Sequence, residues 1–423
     1  METNTLIALA SATIAAYLAS LFLRDLWSNR VNAYSFAILG YGVFSFLDIA
    51  KHYYSGYTST YIRDSLALNV IALILFSFVV FILSYKGTSK ATNSRLYRIS
   101  SSLKNRKIWK AGWLILFMLG LTMFVYWLNP ELHENSYFGI IAYLIKASIL
   151  FFFYLYLKTR RSIYMLFVLI GCAIGLGDSS RRAYIVVMLP ALIIYLQYNF
   201  AKYRKIGKAL RLKVVLSLII IFIFLNMLRA DHDFGEGYQK GDPIANTVDY
   251  IVTLRSIDTF YNTSFIIDNF PKRFDYYYGW TYLSVPVALV PRSIWPNKPV
   301  GLASLLGLMQ KVGTQEFSEK KWHAINRFSL SPGFVGEAYA NFGIIGVLVV
   351  SWFLGFAAKK VDTYVLEFRK RDSIMLIPLI PALVGFMLVA RGDFYSAVLY
   401  PVFISLFLLL IVKFNSHSKT INA

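Results

Sequence analysis

Charged residues are scarce in this chain, and cysteine is almost absent. Of the 423 residues only 15% are charged, whereas 57% are hydrophobic, and the mean hydropathy is +0.55. A soluble domain usually carries about 25% charged residues, so water is not the main solvent of this protein. The single cysteine, Cys172, lies within an apolar run, which excludes a disulfide scaffold and a zinc cluster built on cysteines.

Several catalytic signatures are also missing. The sequence has no Walker loop, dinucleotide fingerprint, HExxH or GxSxG motif, which disfavours nucleotide-driven chemistry and serine hydrolysis. A membrane acyltransferase would need a histidine inside a span, but the five histidines lie in predicted loops or at span ends. They are His52, His133, His232, His323 and His417.

Long apolar stretches bounded by charge are the main feature that is present. A hydrocarbon core of about 30 Å needs about 20 apolar residues per helix. The candidate spans are residues 5–23, 31–50, 64–84, 112–128, 137–157, 163–176, 183–200, 214–228, 334–356, 374–390 and 395–412. The sequence therefore predicts an all-α polytopic membrane protein with about 11 transmembrane helices, within a range of about 10 to 14.

Basic residues are concentrated in alternate loops. Residues 86–110 carry eight Lys or Arg and no acid, and residues 202–213 carry six basic residues and no acid. The positive-inside rule predicts that both segments are cytoplasmic, and alternation then places the N-terminus outside. In a soluble protein the net charge of +21 would suggest nucleic acid, but here it faces the anionic lipid of the inner leaflet.

Residues 229–333 differ from the rest of the chain. They hold 11 Lys or Arg, 10 Asp or Glu and many Tyr and Trp. The sequence thus predicts membrane helices in 1–228, one large external loop in 229–333 and the last membrane helices in 334–423. We expect short helices in this loop, including a membrane-surface piece at 281–290 that is too short to span. A poorly ordered linker is the alternative, which the aromatic content disfavours.

Three arginines on the predicted outer side run against the charge bias. Arg181 and Arg182 end a short link between two spans, and Arg391 begins another. A guanidinium binds phosphate through two parallel hydrogen bonds and keeps its charge, so the cluster predicts a site for a lipid pyrophosphate. The alternative is that each arginine pairs with a neighbouring acid, Asp178 or Asp393, and only fixes a loop.

A proline-fixed turn presents two cations and a tryptophan. Arg292, Trp295 and Lys298 lie between Pro291 and Pro299. The stiff turn would preorganise these groups for ligand binding. An interfacial anchor, with Trp in the headgroups and Arg reaching to water, explains the same pattern, and the spacing leaves both interpretations open.

Two residues near the last long span are candidate bases. His323 accepts a proton near neutral pH, although a loop histidine is more often solvated. Glu337 lies in the first turn of a span, where a carboxylate commonly serves as a partner of the helix dipole. Glu337 and Asn341 are four residues apart, so they share a polar stripe that faces other helices.

Aromatic residues crowd one part of the predicted external loop. Residues 276–280 read Tyr-Tyr-Tyr-Gly-Trp, and another tyrosine follows at 282. Such rings stack on sugar faces, and they also occur in the aromatic belt at the headgroup level of a membrane.

Together these stretches resemble the oligosaccharide repeat-unit polymerases, the Wzy-type O-antigen and capsule polymerases of bacteria. The resemblance is carried by residues 177–182, by the turn 291–299 and by residues 336–343 with the closing 391–393. This family usually has ten to fourteen spans with one large external loop before the last few helices. The predicted layout of this chain is similar.

The resemblance implies a fold similar to the C-type membrane glycosyltransferases, in the bacterial cytoplasmic membrane, with an active site facing the periplasm or exterior. It implies transfer of a growing glycan from undecaprenyl pyrophosphate onto a newly flipped repeat unit. An undecaprenyl-pyrophosphate-linked glycan is then both donor and acceptor, without a metal or other cofactor. A chain-length regulator and a flippase are the implied protein partners, and nucleic acid is not a partner.

The same resemblance implies roles for individual residues. The cations that would neutralise the leaving pyrophosphate are Arg181, Arg182, Arg292, Lys298 and Arg391. Either His323 or Glu337 would deprotonate the acceptor hydroxyl. The remaining substrate contacts would come from Trp295, Arg327, Tyr339 and Asn341.

Two other functions fit the sequence. An O-antigen ligase shares the architecture and the donor but passes the glycan to the lipid A core. A polysaccharide lipid flippase or transporter would also be basic and polytopic, with an intramembrane cation such as Lys146. Transporters seldom place about a hundred tyrosine-rich residues in one outer loop, which favours the polymerase.

Overall fold

The computed structural model describes most of the predicted membrane segments. It describes residues 2–28, 30–54, 64–88, 136–175, 181–203, 258–288, 290, 292, 294–325, 329–370 and 376–416. Its α-helices are α1 Glu2–Trp27, α2 Ala33–Tyr41, α3 Leu47–Tyr54, α4 Asp64–Gly87, α5 Ser136–Thr159, α6 Ser162–Gly175, α7 Arg181–Tyr203, α8 Thr259–Asn269, α9 Leu302–Val312, α10 Glu319–Ala324, α11 Gly333–Lys370, α12 Leu376–Arg391 and α13 Phe394–Ser416. A π-helical turn, Gly42–Phe46, joins α2 to α3. These ranges contain no β-strand, so the all-α prediction is confirmed for them.

Within the described ranges, five helices are long and apolar enough to cross a membrane. They are Thr3–Trp27, Ala33–Tyr54, Ser65–Gly87, Gly333–Glu367 and Phe394–Val412. Shorter apolar helices occur at Ser162–Cys172, Ile185–Asn199, Leu302–Val312 and Leu376–Arg391. The predicted spans at 112–128 and 214–228 lie outside the described residues, so the expected number of about 11 spans stays a prediction.

Burial separates a central helix from peripheral ones. In the α2–α3 span 78% of the most apolar window is buried, compared with 28% for α1 and for α4. The peripheral helices keep large apolar side chains on their outer faces, such as Leu9, Phe76 and Leu83. An exposed face that is apolar along its whole length is what a lipid environment requires.

Small residues bring the central helices into close contact. A Cβ at Gly40 would lie 2.8 Å from the carbonyl oxygen of Met387, so α2 and α12 approach to backbone distance. Between α4 and α11, Ser77 Oγ lies 2.9 Å from Ser351 Oγ and 2.8 Å from Tyr41 Oη. Small side chains and hydroxyl bridges of this kind are the usual means of packing helices in a membrane.

One end of the helix bundle gathers basic residues. The carboxylate of Asp362 on α11 accepts hydrogen bonds from the backbone N–H groups of Ala33 and Tyr34, and from Tyr85 Oη at 2.8 Å. These contacts bring the start of α2, the end of α4 and the last part of α11 together. We call this the basic end, and its cations include Arg24, Arg30, Lys86, Lys359 and Lys360.

The opposite end of the bundle carries the described part of residues 258–332, which we call the connecting segment. Asp48, about 22 Å along the α2–α3 span from Ala33, accepts a 2.6 Å hydrogen bond from the N–H of Phe260. Lys51 Nζ lies 3.0 Å from Asp258 Oδ1. The connecting segment contains α8, α9 and α10, and it is therefore attached to the bundle at the end away from the basic residues.

The connecting segment has a small hydrophobic core of its own. Its buried members include Ile266, Phe270, Leu306 and Met309, and Ala340 of α11 completes the cluster. In the stretch 281–290, the described residues form a 3₁₀ helix, Tyr282–Ser284, followed by turns at 285–288. Pro286 has no backbone N–H to donate, which is one reason why a regular α-helix does not form there.

The long helix α11 is broken within its first third. Phe342 (φ −144°, ψ 17°) and Gly343 (φ 63°, ψ −150°) leave the helical region. The carbonyl oxygens of Ala340 and Asn341 accept hydrogen bonds from the N–H groups of Tyr277 and Tyr278, at 3.0 and 3.1 Å. The connecting segment thus satisfies backbone groups that the break frees, as an apolar surrounding requires.

Candidate functional site

A buried polar network lies beneath the connecting segment. Glu337 and Asn341, one turn apart on α11, are both 0% exposed. Glu337 Oε1 accepts a 2.8 Å hydrogen bond from Thr281 Oγ1, and its other oxygen accepts one from the N–H of Phe394. Asn341 Nδ2 donates to Thr281 Oγ1 at 2.8 Å. The polar stripe predicted from the spacing of Glu337 and Asn341 therefore forms hydrogen bonds with the connecting segment and with the start of α13.

Asp393 is a second buried carboxylate of this region. Its Oδ2 accepts a 3.1 Å hydrogen bond from the N–H of Ala303, in the first turn of α9. Its Oδ1 accepts from the N–H and the hydroxyl of Ser396, in the first turn of α13. Carboxylates are favourable at helix N-termini because the first N–H groups lack partners within the helix.

The stretch 277–281 connects this network to an open cleft. Gly279 donates its N–H to Asn341 Oδ1 at 2.9 Å, and Thr281 bonds to Glu337. Tyr277 and Trp280, in the same stretch, line the cleft. Hydrogen bonds to α11, next to its break, therefore fix the position of this wall of the cleft.

The cleft has a volume of about 910 Å³, which is within the range of ligand sites. It is lined by Arg273, Phe274, Asp275, Tyr277, Trp280, Arg292, Pro296, Asn297, Lys298, Val300, Leu305, Gly313, Thr314, Gln315, Glu316 and Phe317. Three cations, two carboxylates and four aromatic rings are among these residues. We call it the connecting-segment cleft.

Arg292 is held in place by three neighbours. Its Nε lies 3.0 Å from Glu319 Oε1, and its Nη1 donates to the carbonyl oxygen of Pro296 at 2.8 Å. The guanidinium carbon lies 4.7 Å from the centroid of the Phe317 ring. Since an arginine has five N–H donors, these contacts orient the guanidinium and leave further donors for a ligand.

Lys298 is the second predicted phosphate ligand in the cleft. Its Nζ donates to the carbonyl oxygens of Val290 and Ala288 at 2.7 and 3.1 Å, which fixes the proline-rich turn. Partial burial lowers the pKa of Lys298, and the charge of Arg292 lowers it further, although Glu319 opposes the shift. The ammonium group therefore loses its proton more readily than an exposed lysine does.

Two tyrosines support the cleft and the network. Burial raises the pKa of Tyr277 well above its usual value, so its hydroxyl stays protonated and donates to the carbonyl oxygen of Gln315 at 3.1 Å. The pKa of Tyr282 is also raised, mainly by burial and to a lesser extent by the charge of Glu337. The Tyr282 hydroxyl is buried and has no hydrogen-bond partner among the described residues, so it is an available donor beside the network.

The structure brings together only some of the predicted site residues. Arg292 and Lys298 line the connecting-segment cleft, and the ring of Trp295 lies 6.2 Å from that of Trp280 at the cleft wall. Glu337 and Asn341 share the buried network. The Tyr339 ring, 6.3 Å from the Tyr276 ring, packs on the core of the connecting segment.

Other predicted residues lie elsewhere or are not described. His323 is exposed on α10 and is not a lining residue of the cleft. Arg391 ends α12, with its guanidinium 5.8 Å from the centroid of the Phe44 ring. Arg181 and Arg182 begin α7, but their side chains lie outside the described part of the structure, as does Arg327. The roles predicted for these residues stay predictions.

Two carboxylates in the cleft were not singled out from the sequence. Asp275 and Glu316 are exposed residues that line the cleft from two different loops. The side chain of Gln315 connects these two loops. Gln315 Nε2 donates to the carbonyl oxygen of Asp275 at 2.7 Å, and the N–H of Asp275 donates to Gln315 Oε1 at 3.0 Å. The sequence holds ten acids in 229–333 and no spacing that distinguishes these two, because their proximity arises from folding.

A metal site is not formed by the described residues. Among them, no group of three or more His, Cys, Asp or Glu side chains has an arrangement that would hold a metal ion. Lys146, the cation inside a predicted span, is buried in α5 with its Nζ 5.6 Å from the centroid of the Tyr400 ring. Tyr400 belongs to α13, so Lys146 lies at a contact between helices.

Comparisons with protein-family models, with curated proteins and with solved structures found no match to this chain.

Proposed function

We propose that this protein is a membrane glycosyltransferase that polymerises undecaprenyl-pyrophosphate-linked repeat units of a bacterial surface polysaccharide, an O-antigen or a capsule. The observation that carries the proposal is the connecting-segment cleft. It combines oriented cations with aromatic rings, at the end of the bundle that is opposite to the basic end. Aromatic faces suit sugar rings, and guanidinium groups suit phosphate.

The charge distribution supports an outward-facing cleft. The basic end, with Lys86, Lys359 and Lys360, belongs in the cytoplasm under the positive-inside rule. The connecting segment then faces the periplasm or exterior of the cytoplasmic membrane. A lipid-linked repeat unit that has been flipped across this membrane presents its glycan on that side.

The proposed reaction is a single glycosyl transfer. A hydroxyl oxygen of the acceptor sugar attacks the anomeric carbon of the donor glycan, and the bond from that carbon to the pyrophosphate oxygen breaks. The hydroxyl proton passes to a base, and undecaprenyl pyrophosphate leaves with the electron pair. Arg292 and Lys298, which line the cleft, would neutralise the charge that develops on the pyrophosphate. Arg181, Arg182 and Arg391 are the further candidates that the sequence offers for this role.

Four side chains are candidates for the base that accepts the hydroxyl proton. His323 and Glu337 are the candidates from the sequence, and Asp275 and Glu316 join them because they line the cleft. A base must come within hydrogen-bond reach of the proton that it removes. This requirement favours the two carboxylates of the cleft over Glu337, whose oxygens already bind Thr281 and Phe394.

The experiment is reconstitution of the purified full-length protein in liposomes with a lipid-linked repeat unit. We expect a ladder of oligomers that EDTA does not abolish, because the scheme stabilises the leaving group with cations of the chain. Arg182→Ala and Arg292→Ala should each weaken the ladder, and His323→Ala tests the first candidate base. Lys272→Ala, which removes an exposed cation outside the cleft lining, is the matched control.

Other outcomes would replace the proposal. Transbilayer movement of an authentic repeat unit without any ladder would identify a flippase or transporter. Transfer of glycan to a lipid A core, with no transfer to repeat units, would identify a ligase. A chain-length regulator is compatible with the proposal, and its action would appear as a ladder whose length distribution changes when that partner is added.

A further inference from the structure

A groove runs between α4 and α11 on the outer surface of the bundle, near the basic end. Its volume is about 610 Å³. It is lined by Val80, Leu83, Ser84, Gly87, Thr88, Trp352, Phe356 and Lys360. We call it the basic-end groove. None of these residues belongs to the connecting-segment cleft or to the network beneath it.

Close contact between the two helices forms the floor of the groove. A Cβ added at Gly355 would collide with the carbonyl oxygen of Phe81, and Ser84 Oγ donates to the carbonyl oxygen of Trp352 at 2.6 Å. The helix backbones therefore touch at small residues. The larger side chains on either side of this contact form the walls.

The wall on α11 is a continuous apolar surface that ends in a cation. The rings of Trp352 and Phe356 stack at 5.7 Å with planes 13° apart, and Lys360 Nζ lies 5.4 Å from the centroid of the Phe356 ring. Residues 352, 356 and 360 are spaced by four, so they lie on one helix face over about 12 Å. Trp352 is 54% exposed, and Leu83 on the opposite wall is 64% exposed.

The charge at the end of the groove is positive. Lys360 is the cation that lines it, and Lys86, in the last turn of α4, adds to the positive charge of the basic end. Asp362 lies two residues after Lys360, but its carboxylate is buried and bound by the N–H groups of Ala33 and Tyr34. The carboxylate of Asp362 is therefore directed at α2 and away from the groove.

From this geometry we infer that the basic-end groove binds an anionic phospholipid of the surrounding leaflet. An acyl chain lies along Trp352, Phe356 and Leu83, and the phosphodiester meets the ammonium group of Lys360. An apolar channel with a cation at the headgroup level matches such a lipid, whose charge is negative overall. A zwitterionic lipid offers the same phosphate but adds a cation that Lys360 repels. This inference does not depend on the proposed function.

A partner helix is a less suitable occupant of the groove. Lipid chains are as apolar as leucine, so a helix would gain no hydrophobic energy by displacing them. It would also have to cover the charge of Lys360. The phosphate of an anionic lipid neutralises this charge instead.

Trp352 provides a direct probe of the groove. The full-length protein is reconstituted in phosphatidylcholine bilayers that contain increasing fractions of either brominated phosphatidylglycerol or brominated phosphatidylcholine. Bromine quenches tryptophan fluorescence at contact. The protein has eight tryptophans, so the signal of Trp352 is obtained by difference from Trp352→Phe.

We expect phosphatidylglycerol to quench Trp352 with an apparent affinity about fivefold higher than that of phosphatidylcholine, as one lysine near a membrane surface contributes. Lys360→Gln should remove this preference, and Lys360→Arg should keep it. Lys320→Gln is the matched control, because it removes one exposed cation from the connecting segment. Circular dichroism and size-exclusion chromatography verify that each variant is folded.

Equal quenching of Trp352 by the two lipids would overturn the inference. So would a preference for phosphatidylglycerol that survives in Lys360→Gln, or that is unchanged in Trp352→Phe, because the anionic lipid would then bind elsewhere. Protection of Trp352 from both brominated lipids would indicate that a protein segment fills the groove, which also overturns it.

Discussion

At the residue scale, buried carboxylates share one structural task. Asp48, Asp362, Asp393 and Glu337 each accept a hydrogen bond from a backbone N–H in or next to the first turn of another helix. The N–H groups of a first turn have no partner within their own helix, and an apolar surrounding offers no water in their place. Each acid therefore ties a helix start to a distant part of the chain.

Replacing Glu337 tests this interpretation. In Glu337→Ala, the N–H of Phe394 and the hydroxyl of Thr281 lose their acceptor, and each unsatisfied buried group costs about 1–3 kcal/mol. We expect the free energy of unfolding, measured by SDS titration in mixed micelles, to fall by about 2–4 kcal/mol. Asp268→Ala, which breaks only an exposed ion pair with Lys272, should change it by less than about 0.5 kcal/mol. Equal effects in the two variants would contradict the anchoring role.

Lys298 makes ligand binding dependent on pH. Its ammonium group attracts phosphate only while protonated, and burial together with the charge of Arg292 lowers its pKa. Affinity for inorganic pyrophosphate should thus fall as the pH rises through this lowered pKa, before an ordinary lysine would titrate. Lys298→Arg should move the decline to higher pH, because arginine stays charged. The measurement is pyrophosphate affinity from neutral to alkaline pH, and identical profiles for both proteins would contradict it.

At the scale of elements, the break in α11 depends on one glycine. Gly343 has φ 63° and ψ −150°, a region that other residues avoid, and a Cβ there would lie 3.1 Å from Tyr276 Oη. Gly343→Ala should therefore lower the free energy of unfolding by about 1–3 kcal/mol. Gly87→Ala is the control, since a Cβ at Gly87 meets open space at a helix end. A thermal unfolding series of both variants checks this, and a stable Gly343→Ala would show that the break is not required.

The sequence predicts the spans better than it predicts this break. A helix in lipid is apolar over its whole exposed face, so hydropathy alone identifies α1, α4 and α13. The break at Phe342–Gly343 is different, because the carbonyl groups it frees are satisfied by Tyr277 and Tyr278, more than sixty residues earlier. No local pattern contains that information.

At the scale of the whole molecule, the two ends of the bundle differ in charge and in what they carry. This difference predicts opposite accessibility for Arg24 at the basic end and Lys272 in the connecting segment. Both side chains are exposed, at 70% and 73%. Because Cys172 is the single cysteine, Cys172→Ala gives a clean background for cysteine labelling. We expect a membrane-impermeant maleimide to label Lys272→Cys in intact cells and Arg24→Cys only after permeabilisation.

Labelling of Arg24→Cys in intact cells, with Lys272→Cys protected, would reverse the orientation. The connecting-segment cleft would then face the cytoplasm, which is incompatible with polymerisation on the outer side.

The site as a whole could be predicted only in part. The turn 291–299 and the pair Glu337 and Asn341 were identifiable, because their residue types and spacing are unusual for a span or its flank. Asp275 and Glu316 were not, because only folding brings residues 273–280 and 313–317 to the same cleft. The sequence also could not predict that His323 lies outside the cleft lining, because this depends on the tertiary structure.

The most direct test of the central claim is the affinity of the connecting-segment cleft for a lipid-pyrophosphate-linked glycan. A water-soluble, short-chain analogue of such a repeat unit is titrated into the purified full-length protein. Arg292→Gln should bind it about tenfold more weakly or worse, because a charge-assisted hydrogen bond contributes about 1.5–3 kcal/mol, whereas Lys272→Gln should bind it as the original protein does. Equal affinity in all three proteins, at equal thermal stability, would mean that the glycan donor binds elsewhere and would contradict the account.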